Sequence, residues 1–471
     1  LPGNDFTYQW SAGGVDKDNS TDTYVPVEAD IESFITVVVT DNNSKMKWEL
    51  TTYLSELPVI YINTDDGNPV TSNYVAKDAY IRVQGNSEFS DAATFYEGKT
   101  TIKGRGNSTW NEAVSMGVKK PYKLKLATKA NLLGLGKVGN GKNKHWVLLA
   151  NMIDHTNMRN EITYDFSRDM GLDCAMSSTG VVLILNGEYE GLYQLCEHVR
   201  IGNSRVNVYD WEELAEDVAQ AICRANVLIN RDELEQSMVK DLSFVTTGVV
   251  EFGGQSYNVK DYYKKSIPKI TGGYLLGMDF RSPYDNNKYP SSFTSNNTIP
   301  MYIDTPENAK SCKEMMEYIS GYINSFENAI KSTDYLCDYE GREQHYSELF
   351  DLESLVDYWF VCEITNNWDS MKNSTYMYKD IDSKIYMGPA WDYDWGYGNI
   401  CMYSSGVLCN YKQWQTELSG IDPSEGGFAE QSYQKYQWNR YLVKDPYFVL
   451  KLYEKYKKTR ATVFEGLIKE D

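Results

Sequence analysis

A chain of 471 residues that is 42% hydrophobic and 24% charged has a globular composition, and it is too long for one ordinary core. Net charge −20 and a pI near 4.8 argue against nucleic acid or an anionic membrane as the main partner, because counterion release needs clustered Lys and Arg. No apolar run approaches the ~18 residues of a membrane span, so no spanning helix is expected.

The first residues, Leu-Pro-Gly-Asn-Asp, show neither an initiator Met nor a signal peptide, so the chain reads as a mature or excised fragment. Residues 1–54 are short alternating runs (FTYQW, TDTYVPV, SFITVVVTD, KWELTTY) punctuated by Gly, Asn, Asp and Ser. That texture predicts β-sandwich strands and resembles the second half of an immunoglobulin-like module, with Trp10 as a core aromatic. Such modules sit outside cells, which favours secretion or the cell surface.

Strands continue through LPVIYINTDDG (57–67), AYIRVQG, KTTIKGRGNSTW and KPYKLKLA. A polar Gly-rich loop follows, and then a helix of about 13 residues. It is predicted to bury Met158, Ile162 and Phe166 and to stop at Gly171. GVVLILNGEYEGLYQLCEHV is two strands joined at Asn186-Gly187, a strong hairpin signal. Next come an acidic helix (WEELAEDVAQAICRANVL), the strand TGGYLLGMDF and two further helices. In the second of these, LFDLESLVDYWFVCEITNN, Ser354, Asp357 and Glu363 are expected off the apolar face. No internal repeat is present. The order predicts an α+β protein: a mostly β half, then a mostly helical half with an embedded hairpin.

That hairpin lies in the most acidic stretch. Leu355, Val356, Trp359, Phe360 and Ile364 form an apolar stripe ending at Asn366-Asn367, with Asp369 and Asn373 in the loop beyond. TYMYKD and KIYMGPAW then read as paired strands, which returns Asp392 beside Asp369 and Asn373. Three hard oxygen donors at one end of a hairpin suit Mg²⁺ or Mn²⁺. Taken singly, each acid also reads as a helix cap or a solvated loop. Upstream, Gly104 and Gly106 flank Arg105 and permit close backbone approach. In YKLKL, alternation places Tyr122, Leu124 and Leu126 on one face and Lys123 with Lys125 on the other. Adjacent like charges on a strand favour an anion between them, although an exposed polar face has the same pattern.

Of the eight cysteines (174, 196, 223, 312, 337, 362, 401 and 409), none forms a C-x-x-C pair. With only four scattered His, no zinc site is expected. Most read as buried free thiols, with Cys401 and Cys409 as a candidate disulfide.

The ordered blocks KGRGNSTW, KKPYKLKL, LLGLGK, HWVLLANMIDHTNMRN, VLILNGEYEGLYQLCEHV, TGGYLLGMD, NNWDSMKNSTYMYKD and GPAWDYDWGYGN resemble the spore-coat CotH family of atypical protein kinases over roughly residues 56–400. The resemblance implies a two-lobed kinase-like fold, with a β-rich lobe at about 55–208 and a helical lobe at about 209–471, after the segment 1–54. By position, Asp369 matches the catalytic acid, Asp392 the metal-binding acid, Asn373 a second metal ligand and Asp394 an auxiliary one. Arg105, Lys123 and Lys125 match phosphate-facing residues, with Lys125 the first choice. Glu197–Val199 would be the hinge near adenine, Tyr386 the stacking aromatic, and Glu161 a partner of the lysine. Two features depart from the family. Residues 209–270 look longer than its usual connection, and Asp392 is followed by Tyr-Asp-Trp-Gly, so no D-F-G switch is expected.

The implied activity is γ-phosphoryl transfer from ATP, with Mg²⁺ or Mn²⁺, to Ser or Thr hydroxyls of a protein substrate such as a Ser-rich one. No nucleic acid and no membrane span enter this reading, and the oligomeric state is left open. Two competing readings use the same residues. One is a non-catalytic surface or adhesion protein that keeps the fold. The other is a carbohydrate-active enzyme built on paired acids among aromatics, in which the basic GRG and KLK groups have no role.

Overall fold

The structure is a computed structural model that describes residues 5–85, 96–106, 108–135, 141–296, 298–367, 369–399, 414 and 438–469. These fall into two compact units. One takes the residues before 153 together with 178–196; the other takes 153–177 and those from 197 on.

In the first unit, Phe6–Ala12 (β1), Val15–Lys17 (β2), Ser33–Asp41 (β3) and Lys47–Leu54 (β4) form one antiparallel sheet in the order β2-β1-β3-β4. Among the described residues of 5–54 there is this single sheet, where two facing sheets were expected. Trp10 stacks on Tyr24, with ring centroids 5.5 Å apart. Phe34 and Tyr53 pack against Val59, Val182 and Ile184 of the next element, so the segment shares that element's unit.

The next element is a closed barrel of seven strands. They are Val59–Thr64 (β5), Lys77–Gln84 (β6), Tyr96–Gly104 (β7), Tyr122–Ala130 (β8), Asn143–Leu149 (β9), Ser178–Leu185 (β10) and Glu188–Glu197 (β11). Closure comes from β10 running parallel to β5, which removes the open edge an unpaired strand would leave. Period-two alternation fills the interior: Ile60, Ile81, Ile102, Leu124, Trp146, Leu183 and Leu195 are all fully buried. Asn186 and Gly187 both take positive φ, +52° and +83°, as a two-residue primed hairpin turn requires.

Helix α1, Ser108–Met116, packs onto β7 through a glycine. A Cβ on Gly104 would stand 2.3 Å from the Trp110 ring, so only Gly fits. The close approach read from the GRG motif is therefore used at Gly104 by Trp110, and at Gly106 (φ +90°) by the Thr109 hydroxyl.

The second unit is helical around a five-stranded sheet in the order Ser292–Thr294, Pro300–Thr305, Tyr274–Met278, Thr375–Lys379, Ile385–Met387. Its principal helices are Arg159–Met170 (α2), Trp211–Ala225, Lys313–Lys331, Leu352–Thr365 and Pro446–Thr459. The acidic helix starts on Asp210, whose carboxylate accepts from the amides of Glu212 and Glu213, and it buries Trp211, Leu214, Val218 and Ile222.

Two helices differ from their predicted faces. Ser354, Asp357 and Glu363 are buried instead of lying off the packed face, because Leu352–Thr365 is covered on nearly every side, with Glu353 and Ile364 its exposed residues. The buried polar groups are therefore paired: Asp357 with Lys455 at 2.6 Å, and the Ser354 hydroxyl with the Met387 amide at 3.1 Å. On α2, Met158 caps the helix and is exposed, and Ile162 is exposed too. The buried face carries Asn160, Thr163, Tyr164, Phe166, Ser167 and Met170.

Six cysteines are free thiols; Cys401 and Cys409 lie outside the described residues. Among the described residues no helix is long and apolar enough to cross a membrane.

Candidate functional site

Helix Leu352–Thr365 ends at Asn366, which adopts left-handed φ (+47°) and turns the chain into a tight loop. Within that loop the amides of Lys372 and Asn373 donate to the Asp369 carbonyl, at 3.2 and 2.9 Å. Met371 and Ser374 also take positive φ, unusual for residues with side chains and characteristic of functional loops. The Thr375 hydroxyl secures the exit, accepting from the Met371 amide at 2.9 Å and donating to the Asn373 carbonyl at 3.1 Å.

The Asn373 amide group bridges two elements. Its Nδ2 donates to Asp369 Oδ1 at 2.9 Å, and its Oδ1 accepts from the Phe280 amide at 3.1 Å. Phe280 is there because Tyr274–Met278 pairs antiparallel with Thr375–Lys379, with Met278 opposite Thr375. The register places residues 279–281 beside the loop. Asp279 is buried, and the Arg281 fork grips its carboxylate with Nε on Oδ1 and Nη2 on Oδ2, each at 2.9 Å. The Tyr289 hydroxyl adds a bond of 2.5 Å to Oδ2. Burial opposes ionisation of Asp279, but the Arg281 bonds and charge win, and its pKa lies below the ordinary carboxylate value. The Arg281 cation also feels Asp369, so a guanidinium stands near that acid. The sequence offered no sign of Asp279 or Arg281 beyond a strand end followed by charge.

The hairpin returns as its pattern required: Met377 opposite Met387, Tyr378 opposite Tyr386, Lys379 opposite Ile385. Beyond it the Ser374 hydroxyl donates to Asp392 Oδ2 at 3.0 Å, and Asn367 Nδ2 donates to the Asp392 carbonyl at 3.3 Å. Asp369 and Asn373 thus lie on one loop, and Ser374 at its end holds Asp392 of the segment that follows the hairpin's second strand. Asp392 takes φ +69°, which Asp tolerates better than most side chains. Asp394 gives its backbone carbonyl to Asn399 Nδ2 at 2.7 Å.

The Asp392 carboxylate and the Asn373 Oδ1 are hard oxygen donors of the kind a divalent cation takes. Mg²⁺ commonly uses one or two carboxylates, leaving the other positions to phosphate and water oxygens. Among the described residues, Ser374 is the one hydrogen-bond donor to the Asp392 carboxylate. Among them, too, no three of His, Cys, Asp and Glu gather as a metal cage.

The other sequence-predicted residues are placed as follows. Tyr386 is half-buried and stacks on Tyr378 at 5.6 Å with 12° between the rings. The Glu197 carboxylate is buried and committed within the fold, to Arg205 at 2.5 Å and to the Ser177 amide at 2.9 Å. Its side chain is therefore spent on structure. Glu161 has no ion-pair partner among the described residues; burial, with Asp165 nearby, pushes its carboxyl up to about 7. In the barrel unit, Lys123 is half-buried and Lys125 exposed on the outer side of β8, while Tyr122, Leu124 and Leu126 point inward, the alternation read from YKLKL. Lys123 stands opposite Lys103, and Lys125 opposite Thr101 and His145. Arg105 follows β7, its amide donating to the Pro121 carbonyl at 3.1 Å.

A family model described as CotH kinase protein matches residues 102–470. Among curated proteins, none matches the chain.

Proposed function

Because the chain belongs to the CotH kinase protein family, we propose that it is a metal-dependent kinase that transfers the γ-phosphoryl group of ATP to Ser or Thr hydroxyls of an extracytoplasmic protein. The two compact units are read as the β-rich and helical lobes of a kinase-like fold, with the sheet of residues 5–54 as an added module. The observation that carries the reading is the loop 366–374. It ties Asp369 to Asn373 and, through Ser374, holds the Asp392 carboxylate at the end of the hairpin.

Asp369 is assigned to the acceptor. Its carboxylate orients the hydroxyl and takes its proton as the new O–P bond forms and the bond to ADP breaks. Asn373 fixes that carboxylate through Nδ2, and the Phe280 amide fixes Asn373. Asp392 and Asn373 are assigned to Mg²⁺ or Mn²⁺, with Asp394 auxiliary. The metal, when bound with ATP, supplies positive charge to the phosphate oxygens. Arg105, Lys123 and Lys125 are assigned to the phosphates, Tyr386 to the base, and the backbone near Glu197 to the adenine edge. The divided labour follows from phosphoryl transfer itself, where positioning and charge neutralisation do most of the catalysis.

Incubating the purified chain with Mn²⁺, γ-labelled ATP and a Ser-rich acceptor tests the proposal. Label on the chain or the acceptor, lost in Asp369→Asn, is the expected result. Nucleotide binding with no transfer to any acceptor would favour a scaffold that keeps the fold.

A further inference from the structure

The polar residues on the buried face of α2 have no part in the proposed chemistry, yet they hold the segment that contains Asp392. Asn160 is 3% exposed, and its Oδ1 accepts from the Tyr393 amide at 2.7 Å. One turn on, the Tyr164 ring lies parallel to Trp391, with centroids 6.0 Å apart and 10° between planes. The residues on both sides of Asp392 are therefore held by one helix. Further along, the hydroxyls of Thr163 and Tyr397 share a hydrogen bond of 3.1 Å, and Asn399 Nδ2 reaches the Ile153 carbonyl at 3.1 Å.

The start of α2 is fixed in turn. Buried Asp154 accepts from the Arg159 amide at 2.9 Å and the Thr156 amide at 3.0 Å, and it pairs with the Arg159 guanidinium. A helix tied at its start by Asp154 thus holds residues 391 and 393, while Asp392 between them adopts an uncommon left-handed conformation.

We infer that Asn160 is a positioning residue: by accepting from the Tyr393 amide, α2 holds Asp392 in the left-handed conformation that aims its carboxylate. This rests on the proposed role of Asp392 in metal binding. Without the acceptor, the buried Tyr393 N–H loses its partner and Asp392 is free to relax toward ordinary φ, turning its carboxylate away. Asn→Asp retains a side-chain oxygen at the same reach, whereas Ala removes it.

The test uses the full chain and four variants: Asn160→Ala, Asn160→Asp, Thr163→Val and Asp392→Asn. Calorimetry of ATP binding across a Mn²⁺ series reads the metal requirement, and thermal melting reads the fold. Asn160→Ala should raise the half-saturating Mn²⁺ concentration about tenfold or more, as loss of a supporting contact does at metal sites, with Asn160→Asp within about threefold of the parent. Should Asn160→Ala fail to fold, the near-isosteric Thr163→Val removes another tie to the same segment and should shift the requirement about fivefold in the same direction, beyond the spread allowed to Asn160→Asp. Melting temperatures that fall in both Asn160 variants with an unchanged Mn²⁺ requirement would make Asn160 purely structural and overturn the inference. If Asp392→Asn abolishes metal-dependent binding while neither Asn160→Ala nor Thr163→Val shifts it, the inference alone falls. If Asp392→Asn leaves the metal requirement unchanged, the metal role of Asp392 falls, and the inference with it.

Discussion

The barrel and the helical unit have different kinds of interior, each within itself. The barrel's centre is made of aliphatic and aromatic side chains meeting from seven strands, and its indole N–H finds a carbonyl three residues away. The helical unit buries Asp154, Asn160, Asp279, Glu327, Asp357, Lys379 and Arg205 among its apolar residues. Each is bonded: Glu327 to Ser295 and Trp438 at 2.9 Å, and Lys379 to the carbonyls of Thr271 and Ser383 at 2.5 and 2.6 Å. Apolar burial is non-directional and tolerates repacking, so it stabilises a shape without fixing any one atom. Paired buried polar groups give direction, because a displaced partner leaves a costly unsatisfied group. The loop carrying Asp369 and the segment carrying Asp392 are both built within the second kind of interior.

The largest effects should come from the two acids. Asp392→Asn keeps a residue that tolerates left-handed φ, unlike Ala, and so removes charge without adding strain. It should lose most metal-dependent ATP binding together with transfer, while the metal-free protein melts at or above the parent temperature. Asp369→Asn should keep ATP affinity within a few fold while transfer falls by roughly 10²–10⁴. Calorimetry beside a transfer assay separates the two. If Asp369→Asn loses ATP as completely as Asp392→Asn, both acids are metal ligands and the division of labour is wrong.

The barrel should respond oppositely. Trp146→Ala empties the centre of a closed core and should cost about 3–5 kcal/mol in denaturant melts. At temperatures where the variant stays folded, its Mn²⁺ requirement should match the parent. A shifted requirement there would break the contrast, because the apolar interior would then also be aiming the site.

The same contrast decides what could be read from the sequence. Period-two alternation, the Asn-Gly turn and the YKLKL face are local signals, and the strands follow them residue by residue. The hairpin that returns Asp392 toward the loop of Asp369 was legible for the same reason. The faces of α2 and of Leu352–Thr365 were not. A helical pattern search assigns polar residues to solvent, and here Asn160, Thr163, Ser354 and Asp357 are inside because their partners come from distant segments. Asp279 and Arg281 stayed hidden similarly, since only the pairing of Tyr274–Met278 with Thr375–Lys379 brings them to Asn373. Long-range polar pairing leaves no periodic trace.

A medium effect is expected from Glu161, beside Asn160 on α2. Its folded pKa of about 7 lies above the unfolded value of 4.5, raised first by burial and then by Asp165. The folded state therefore holds an extra proton between those values. Its contribution to stability is complete below about pH 4.5 and is lost as pH rises through about 7. Glu161→Gln cannot titrate, so its stability should change less across that window and exceed the parent's above pH 7.5. Allowing for the screening of a half-buried carboxyl, the difference is on the order of 2 kcal/mol. Parallel pH profiles for parent and variant would show that Glu161 titrates normally and that the helix start is better solvated than its burial indicates.

The smallest effect on stability, and a sharp one on binding, is expected at Lys125. It is exposed on the outer face of β8, opposite Thr101 and His145, and makes no salt bridge among the described residues. Lys125→Thr removes a surface charge and adds a β-branched residue suited to a strand, so thermal stability should stay within about 0.5 kcal/mol. If Lys125 neutralises phosphate, the same change should weaken Mg²⁺–ATP binding about tenfold, and raising the salt should shrink that difference because an exposed charge is screened. Stability and affinity would thus separate at a single exposed position, as they cannot at Trp146. Unchanged affinity at low salt would remove Lys125 from the nucleotide site. Lys123, two residues earlier on the same face, would then be the residue to test.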